Sequence, residues 1–424
     1  MRDFLSHRLW CRVPLRRRDS EFFFQYQHNK NLHIRHYRPN KYTIIPLCEK
    51  HGSLFCVFLP RETIAVMNKH KFISAIDSFK GCLTSREANQ AAAHGISNIY
   101  PDAEIVQIPV SDGGEGFVEA FHSAIGGEIQ ELTVNDPLMR PVVAHYLLKD
   151  STAVIEIAQA SGLPLLKKEE RNPLIASSYG TGELVADAVL KGAKHIIVGL
   201  GGSATSDAGI GMIRALIKIF VKKGTWDDIK ELKNVHFTIA SDVKNPLYGE
   251  NGAAHVFGPQ KGASPEDVLT LDHRAKKFAE ASAKHFGHDR SKMKGAGAAG
   301  GLGYAFLQYM GAECKSGIQL LLETIHFDEM VKDADLVITG EGSSDRQTLM
   351  GKLPVGILEQ SGDAPVCLIA GRISDREQLL QAGFAYVECI NPVGITLEEA
   401  MRKEVATRNI SDTVARILSN GAEK

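Results

Sequence analysis

The chain has almost no net charge, with 49 Lys and Arg against 50 Asp and Glu, or −1 at pH 7. Such a balance offers no global field to attract nucleic acid or an anionic membrane surface. Long hydrophobic runs are also missing. The longest candidates, "YTIIPL" and "LFCVFL", fall far short of a membrane span. The seven cysteines include no CxxC pair, which argues against a disulfide framework and a structural zinc site and fits a reducing, cytoplasmic setting. None of the sixteen histidines falls in an HExxH or HxxxH pairing, and no GxSxG elbow follows a strand, so zinc hydrolases and serine hydrolases of those types are disfavoured. What remains is an ordinary globular composition over 424 residues, enough for two or three domains with substantial cores.

Glycine is the next absence, and it is local. Residues 1–66 contain one glycine (Gly52) of the chain's 39, yet three of its seven cysteines. This arm carries twelve Lys or Arg against five Asp or Glu, a local charge of about +7. Its aromatics ("EFFFQY") and basics ("RRR") follow neither a helical nor a strand period. A transit peptide would be Arg-rich and acid-poor but amphipathic, and that periodicity is lacking. A nucleic-acid arm would interleave its aromatics as a stacking platform, which this one does not. The expectation is therefore an unstructured extension over 1–66, read through ahead of Met67 and set apart from the fold.

From Met67 onward, short β-rich runs alternate with helical patterns. Strands are expected at 71–76, 104–110, 195–200, 236–241, 335–340, 365–370 and 385–390, several of them continuous apolar runs suited to sheets covered on both faces. The helix opening "TSRE" carries a capping box in Thr84 and Glu87. Others are expected over Pro265 to Phe286 and after Thr396. Alternation of this kind predicts a parallel, layered α/β architecture. The middle of the chain, with "EIQELTV", "VVAHYLL" and "TAVIEIA" as hairpin-like strands, reads as a second α/β unit over 133–290, inserted into a first unit made of 67–132 and 291–424.

Four glycine-rich loops bearing carboxylates follow strands: "IDSFKG", "SDGGEG", "GGSATSDAG" and "GEGSSD". In open parallel sheets ligands bind outside the carboxyl ends of strands, so four such loops point to one polar site. Asp77, Ser78 and Lys80 form a set able to grip a small hydroxy acid or a phosphate. Asp112 and Glu115 sit among three glycines, with Glu115 placed to cap the helix that follows. Around Asp207, the small residues Gly201, Gly202, Ser203, Thr205 and Ser206 let backbone N–H groups converge on an anion at a helix start. Asp207 itself could accept a substrate proton, help hold a metal, or simply cap the helix. Glu341 and Asp345 are hard oxygen ligands suited to Mg²⁺, with Lys352 a short helix away. Gly300 and Gly301, within "AGAAGGLG", suit either phosphate contact or tight packing. Lys261 stands in "FGPQKGAS", a further candidate for substrate binding. The stretch from Gly342 to Lys352 is not a P-loop, because eight residues separate its glycines and Leu353 follows the lysine.

Taken together, "DSFKGCLTSREA", "PVSDGGEGF", "ERNPLIASSYGTGEL", "GLGGSATSDAG", "SDVKNPLYGENGAAHVFGPQKGAS", "GAGAAGGLG" and "GEGSSDRQTLMGK" resemble, in order, the bacterial glycerate kinases of the two-domain, non-P-loop type. The resemblance implies a Rossmann-like domain built from both chain ends with an inserted α/β domain. It also implies transfer of the γ-phosphoryl of ATP to D-glycerate, with 2-phosphoglycerate favoured as product. On that basis the loops around 201–209 and 296–303 are expected to cradle phosphates. Glu341, Asp345 or Asp112 would hold Mg²⁺, and Lys80 or Lys352 would balance charge. Asp207 is expected to orient or deprotonate the hydroxyl, with Asp112 second. No nucleic-acid or membrane partner is expected, and a homodimer is left open. Two departures stand out: Ser343 where the family has Arg, and a short segment between "GIGMIRAL" and "FTIASDV". Both allow for a catalytically silent protein that binds nucleotide or hydroxy acid without turnover.

Overall fold

The computed structural model describes residues 42–50, 53–60, 70–111, 113–346, 348–350 and 353–421. Two strands of the N-terminal arm, β1 (Tyr42–Lys50) and β2 (Ser53–Pro60), pair as an antiparallel hairpin with an irregularity between Pro46 and Cys48. The arm expected to lack structure therefore contains a hairpin, formed by its stretches rich in β-branched and aromatic residues. Its other residues lie outside those described. The hairpin and the chain from His70 onward are separate compact units.

The larger unit begins with β3 (Lys71–Ile76), α1 (Ser85–Ile99), β4 (Glu104–Gln107) and α2 (Phe117–Ile125). It continues through β5 (Glu128–Asn135), β6 (Pro141–Lys149), β7 (Thr152–Glu156), α3 (Tyr179–Leu190), β8 (His195–Gly199) and α4 (Ile210–Phe220). Then come β9 (His236–Ala240), α5 (Pro265–Phe286), α6 (Leu302–Met310), β10 (Glu313–Lys315) and α7 (Gly317–Thr324). The last stretch holds β11 (Leu336–Ser344), α8 (Leu353–Gln360), β12 (Val366–Ile373), β13 (Tyr386–Cys389) and α9 (Lys403–Gly421). None of the helices among the described residues is long and apolar enough to cross a membrane.

The strands form two sheets. The first, in the order β13-β12-β11-β3-β4, is entirely parallel and draws on both chain ends. The second, β10-β9-β8-β7-β6-β5, is parallel from β10 to β7 and antiparallel at β6 and β5. The expected insertion over 133–290 falls within the stretch that builds the second sheet, whose strands run from Glu128 to Lys315. Residues 291–315 stay with the second sheet because Ala296, Leu302, Phe306 and Leu307 fill its core.

Alternation along β3 shows why both faces of the first sheet are covered. Phe72 and Ile76 pack under α1 and α9 with Ile96, Ile410 and Val414, whereas Ile73 and Ala75 face Leu321 and Leu353 of α7 and α8. Helix α1 starts at the expected capping box. Glu87 N–H donates to Thr84 Oγ1 at 3.3 Å, and Thr84 N–H donates to the Glu87 carboxylate at 3.0 Å. Helix α5 spans the expected residues, set by Ser264 as N-cap, Pro265 in its first turn and a left-handed Gly287 at its end. Between the sheets lies α2, whose Phe117 and Phe121 pack in one cluster with Leu147, Val154 and Ala240 of the second sheet. The short segment before β9 does not open the core, since Ile229 and Val235 are buried and Trp226 sits edge-on to Tyr309.

Candidate active site

The first sheet has its topological switch point between β3 and β11, because the chain leaves β3 for β4 on one side and returns to β11 on the other. The loops after these strands meet there. Asp77 N–H donates to Gly340 O at 2.9 Å, and Ser78 N–H donates to Asp77 Oδ1 at 2.7 Å. Lys80 is exposed on the same loop. The "GEGSS" run, expected as a loop, continues β11 and pairs with β12, so that Ser343 stands opposite Arg372. A Cβ added at Gly371 would lie 2.8 Å from Gly342 O, and this lack of a side chain lets the two strands run on together.

Glu341 is held firmly at this edge. Its Oε1 accepts hydrogen bonds from Ser344 Oγ at 2.7 Å and from the buried Thr348 Oγ1 at 2.6 Å. Among the described residues its other oxygen accepts none, so the carboxylate is oriented with one oxygen left for a ligand. Asp345 shares the turn, where its N–H donates to Thr348 Oγ1 at 3.1 Å. Lys352 lies outside the described residues. Arg372 is exposed and makes no ion pair among the described residues, which puts a guanidinium in register with Ser343, the position where the sequence lacks the expected arginine.

The loop after β4 crosses from the first sheet to the second. Val110 N–H is bound by Ser85 Oγ at 2.9 Å, which fixes the near end. At the far end Gly201 N–H donates to Gly113 O at 2.9 Å, and a Cβ on Gly201 would meet Gly114 Cα at 2.2 Å. Asp112, between these anchors, is outside the described residues. Helix α2, which follows, has Gly116 as its N-cap and takes no side-chain cap from Glu115. Its cap comes from the other sheet: Glu156, at the carboxyl end of β7, accepts a hydrogen bond from Phe117 N–H at 3.2 Å. Glu156 went unnoticed in the sequence, although a carboxylate inside the apolar run "TAVIEIA" was the available signal.

At the carboxyl end of β8 the residues are arranged differently. Asp207 was expected to face substrate, yet its Oδ2 accepts from Ser178 N–H at 2.9 Å, Ser178 Oγ at 2.9 Å and Gly211 N–H at 3.0 Å. Its Oδ1 accepts from Gly209 N–H at 3.1 Å. The carboxylate thus fills the anion site formed by the starts of α3 and α4. These bonds fit the capping alternative for Asp207. Gly300 and Gly301 are buried beneath the same loop instead of facing a phosphate. A Cβ on Gly300 would sit 2.0 Å from Thr205 O, and one on Gly301 would sit 2.8 Å from Ala208 Cα. Ala208 N–H donates to Gly300 O at 3.1 Å. Tight packing wins over the phosphate cradle at 296–303.

Lys261, expected at the substrate, is buried behind this loop, where its Nζ donates to Ser203 Oγ at 2.8 Å and to Thr205 O at 2.7 Å. Burial pushes its pKa down to about 7, and the charge of Asp207 partly opposes that shift. Ser203 and Thr205 are buried as well, Gly201 is half-buried and Gly202 is exposed with φ +70°. Glu156 is shifted in the opposite direction. Burial, followed by the charge of Glu119, raises it to about 7, while hydrogen bonds from Phe117 and Val118 work against the rise. Between the two sheets, Asp242, Lys244, Lys294, Ser316 and Glu359 line a polar cleft of about 290 Å³.

The sequence profile of the Glycerate kinase family matches residues 72–227 and 221–420, the two stretches meeting in the segment read as short. The chain is 42% identical over 372 residues to a glycerate kinase of Bacillus subtilis (strain 168), covering 82% of this chain and 97% of that one. It is 41% identical over 374 residues to the glycerate 2-kinase of Escherichia coli (strain K12), covering 81% of this chain and 98% of the relative. A solved structure of a Salmonella typhimurium LT2 protein assigned as glycerate kinase 2 superposes with a TM-score of 0.71 at 37% identity, over 84% of this chain and 100% of that one.

Proposed function

The chain belongs to the glycerate kinase family, and from that premise we propose that it transfers the γ-phosphoryl group of ATP to the 2-hydroxyl of D-glycerate, giving 2-phosphoglycerate. The observation that carries this reading is the edge where β3 and β11 meet. There Glu341, with one oxygen uncommitted, lies on strands adjoining Lys80 and Arg372 at the switch point of a parallel sheet. Phosphoryl transfer asks a protein mainly to position its reactants and neutralise charge. This edge supplies both requirements, through Gly342, whose nearest neighbours leave ordinary van der Waals space, and through cations on the loop after β3 and on β12.

Mg²⁺ fits the residues present. It commonly takes one or two carboxylates and completes its shell with water and phosphate oxygens, and a hydroxyl-braced carboxylate with a free oxygen is such a donor. Glu341 would hold it, with Asp345 in the same turn. When bound, Mg²⁺ would offset negative charge on the nucleotide phosphates. Lys80 and Arg372 face the same charge from the protein side. Proton transfer from the glycerate hydroxyl falls to Asp112, because Asp207 is committed to two helix starts and Asp112 lies on the loop that joins the two sheets. Lys261 places a buried amine under Ser203 and Thr205, which stiffens the loop on the far side of the site. The preference for the 2-hydroxyl draws its support from the Escherichia coli relative described as a glycerate 2-kinase.

The test is to incubate protein with MgATP and D-glycerate, follow ADP release, and identify the product by phosphorus NMR. Release of ADP with 2-phosphoglycerate is the expected result. 3-Phosphoglycerate would overturn the regiochemistry. Nucleotide binding without ADP release would favour the silent reading, against which stand Arg372 beside Ser343 and the filled core around Ile229 and Val235.

A further inference from the structure

Glu156 is a buried carboxylate, 3% exposed, that the transfer chemistry does not use. It ends β7, opposite Gly199 in the second sheet, and its hydrogen bonds go to an element that packs between the sheets. Phe117 N–H donates to Glu156 Oε2 at 3.2 Å, and Val118 N–H donates to the same carboxylate. Those two amides open α2, immediately after the loop carrying Asp112. The loop has little other freedom at this point, since Gly113 has φ +99° and a Cβ there would lie 2.9 Å from Ala240 O. Gly199 leaves room for the Phe117 ring, which a Cβ at that position would meet at 2.7 Å. Among the described residues, the second sheet thus meets the far end of the loop through Glu156 at the end of β7, Gly201 just after β8 and Ala240 at the end of β9, and Glu156 is the charged one.

We propose that Glu156 is a positioning residue for the transfer, one whose carboxylate fixes the 111–116 loop through the first turn of α2 and so sets the loop against both sheets. This inference builds on the kinase function and adds a residue to it. The charged groups around Glu156 do not stabilise its charge. Glu115 and Glu119 face it, and Glu119 in turn meets His145 Nε2 at 3.4 Å. A carboxylate kept among carboxylates in a buried place costs stability above neutral pH, and its sign can be worked out. The folded value lies above the unfolded one, so stability falls as pH rises towards 7 and does not return above it.

The experiment compares wild type with Glu156→Gln at pH 8, measuring kcat, KM for ATP, thermal midpoint and amide exchange at Phe117 and Val118. The expected result is a kcat at least tenfold lower, KM for ATP within about twofold, faster exchange at the two amides, and a midpoint equal to or above wild type. A kcat within twofold of wild type, or unchanged exchange, would overturn the proposal. So would a variant that fails to fold or melts markedly lower, since the role would then be structural. If wild type itself shows no turnover, the kinase function fails, and amide exchange alone decides whether Glu156 fixes the loop.

Discussion

The carboxyl edges of the two sheets carry the same sequence signal, glycines with carboxylates after a strand, and put it to opposite uses. On the first sheet, Glu341 keeps one oxygen uncommitted, Lys80 and Arg372 are exposed, and a Cβ on Gly342 would come no closer than 3.7 Å to Phe79 Cα. On the second, Asp207 accepts four hydrogen bonds, Lys261 is buried on two acceptors, and a Cβ on Gly300 would collide with Thr205 O at 2.0 Å. A polar group whose hydrogen-bonding capacity is used up within the fold holds the fold, while one with capacity left over can hold a ligand. On the proposed function the second edge is a back wall and the first is the working face.

The sharpest way to break this comparison is to remove one carboxylate from each side. Asp112→Asn is expected to lower turnover on the order of 10²- to 10⁴-fold, the range typical of losing a general base, with ATP still bound. Asp207→Asn is expected to lower turnover far less, while reducing stability by about 2 kcal/mol through weaker hydrogen bonds to two helix starts. Steady-state kinetics and urea unfolding on the two variants decide the matter. A collapse of turnover in Asp207→Asn with unchanged stability would return the proton-transfer role to Asp207 and make the second edge the working one.

Glycines give the next largest effect. Gly300→Ala must accommodate a methyl inside van der Waals contact at φ +65°, and about 3 kcal/mol of destabilisation is expected from overpacking and backbone strain together. Gly342→Ala meets only ordinary van der Waals contact, 3.7 Å from Phe79 Cα, in an ordinary strand conformation, so its stability should stay within about 1 kcal/mol of wild type while nucleotide affinity falls. Thermal unfolding with nucleotide titration separates the two. Equal destabilisation would mean that both edges are packed alike.

These contrasts show what the sequence could and could not convey. Strand and helix positions were legible because burial on two faces leaves continuous apolar runs, and because caps such as Thr84 with Glu87 and Ser264 with Pro265 are local. The gathering of Asp77 and Glu341 at one edge was legible too, since Asp77 follows β3 and Glu341 lies towards the carboxyl end of the neighbouring parallel β11. The division of labour among the loops was not. Whether Asp207 faces solvent or the start of α3 depends on Ser178, 29 residues away, and whether Lys261 is exposed depends on Ser203, 58 residues away. Gly300 and Gly342 both lie in glycine-rich stretches, and only tertiary packing shows that one is covered by Thr205 while the other has no neighbour nearer than 3.7 Å. The short β10 was not legible for the same reason, because it is recognised by its pairing with β9 and hardly by its three residues.

The smallest expected effect concerns the back wall alone and is read from the pH dependence of stability. Burial holds the Lys261 amine down at about 7, against 10.5 for a free lysine, so between those values the unfolded chain binds more protons than the folded one. Stability contributed by this group must therefore rise as pH increases from 7 towards 10. Lys261→Met removes the titration while keeping much of the side-chain volume. Relative to that variant, wild type should gain at most about 1.4 kcal/mol per pH unit between pH 7 and 9, the full slope for one proton. Urea unfolding at pH 7, 8 and 9 on both proteins measures it. Parallel curves would mean that water reaches Lys261 and that the wall behind Ser203 and Thr205 is not sealed, so that the second edge would differ from the first in degree only.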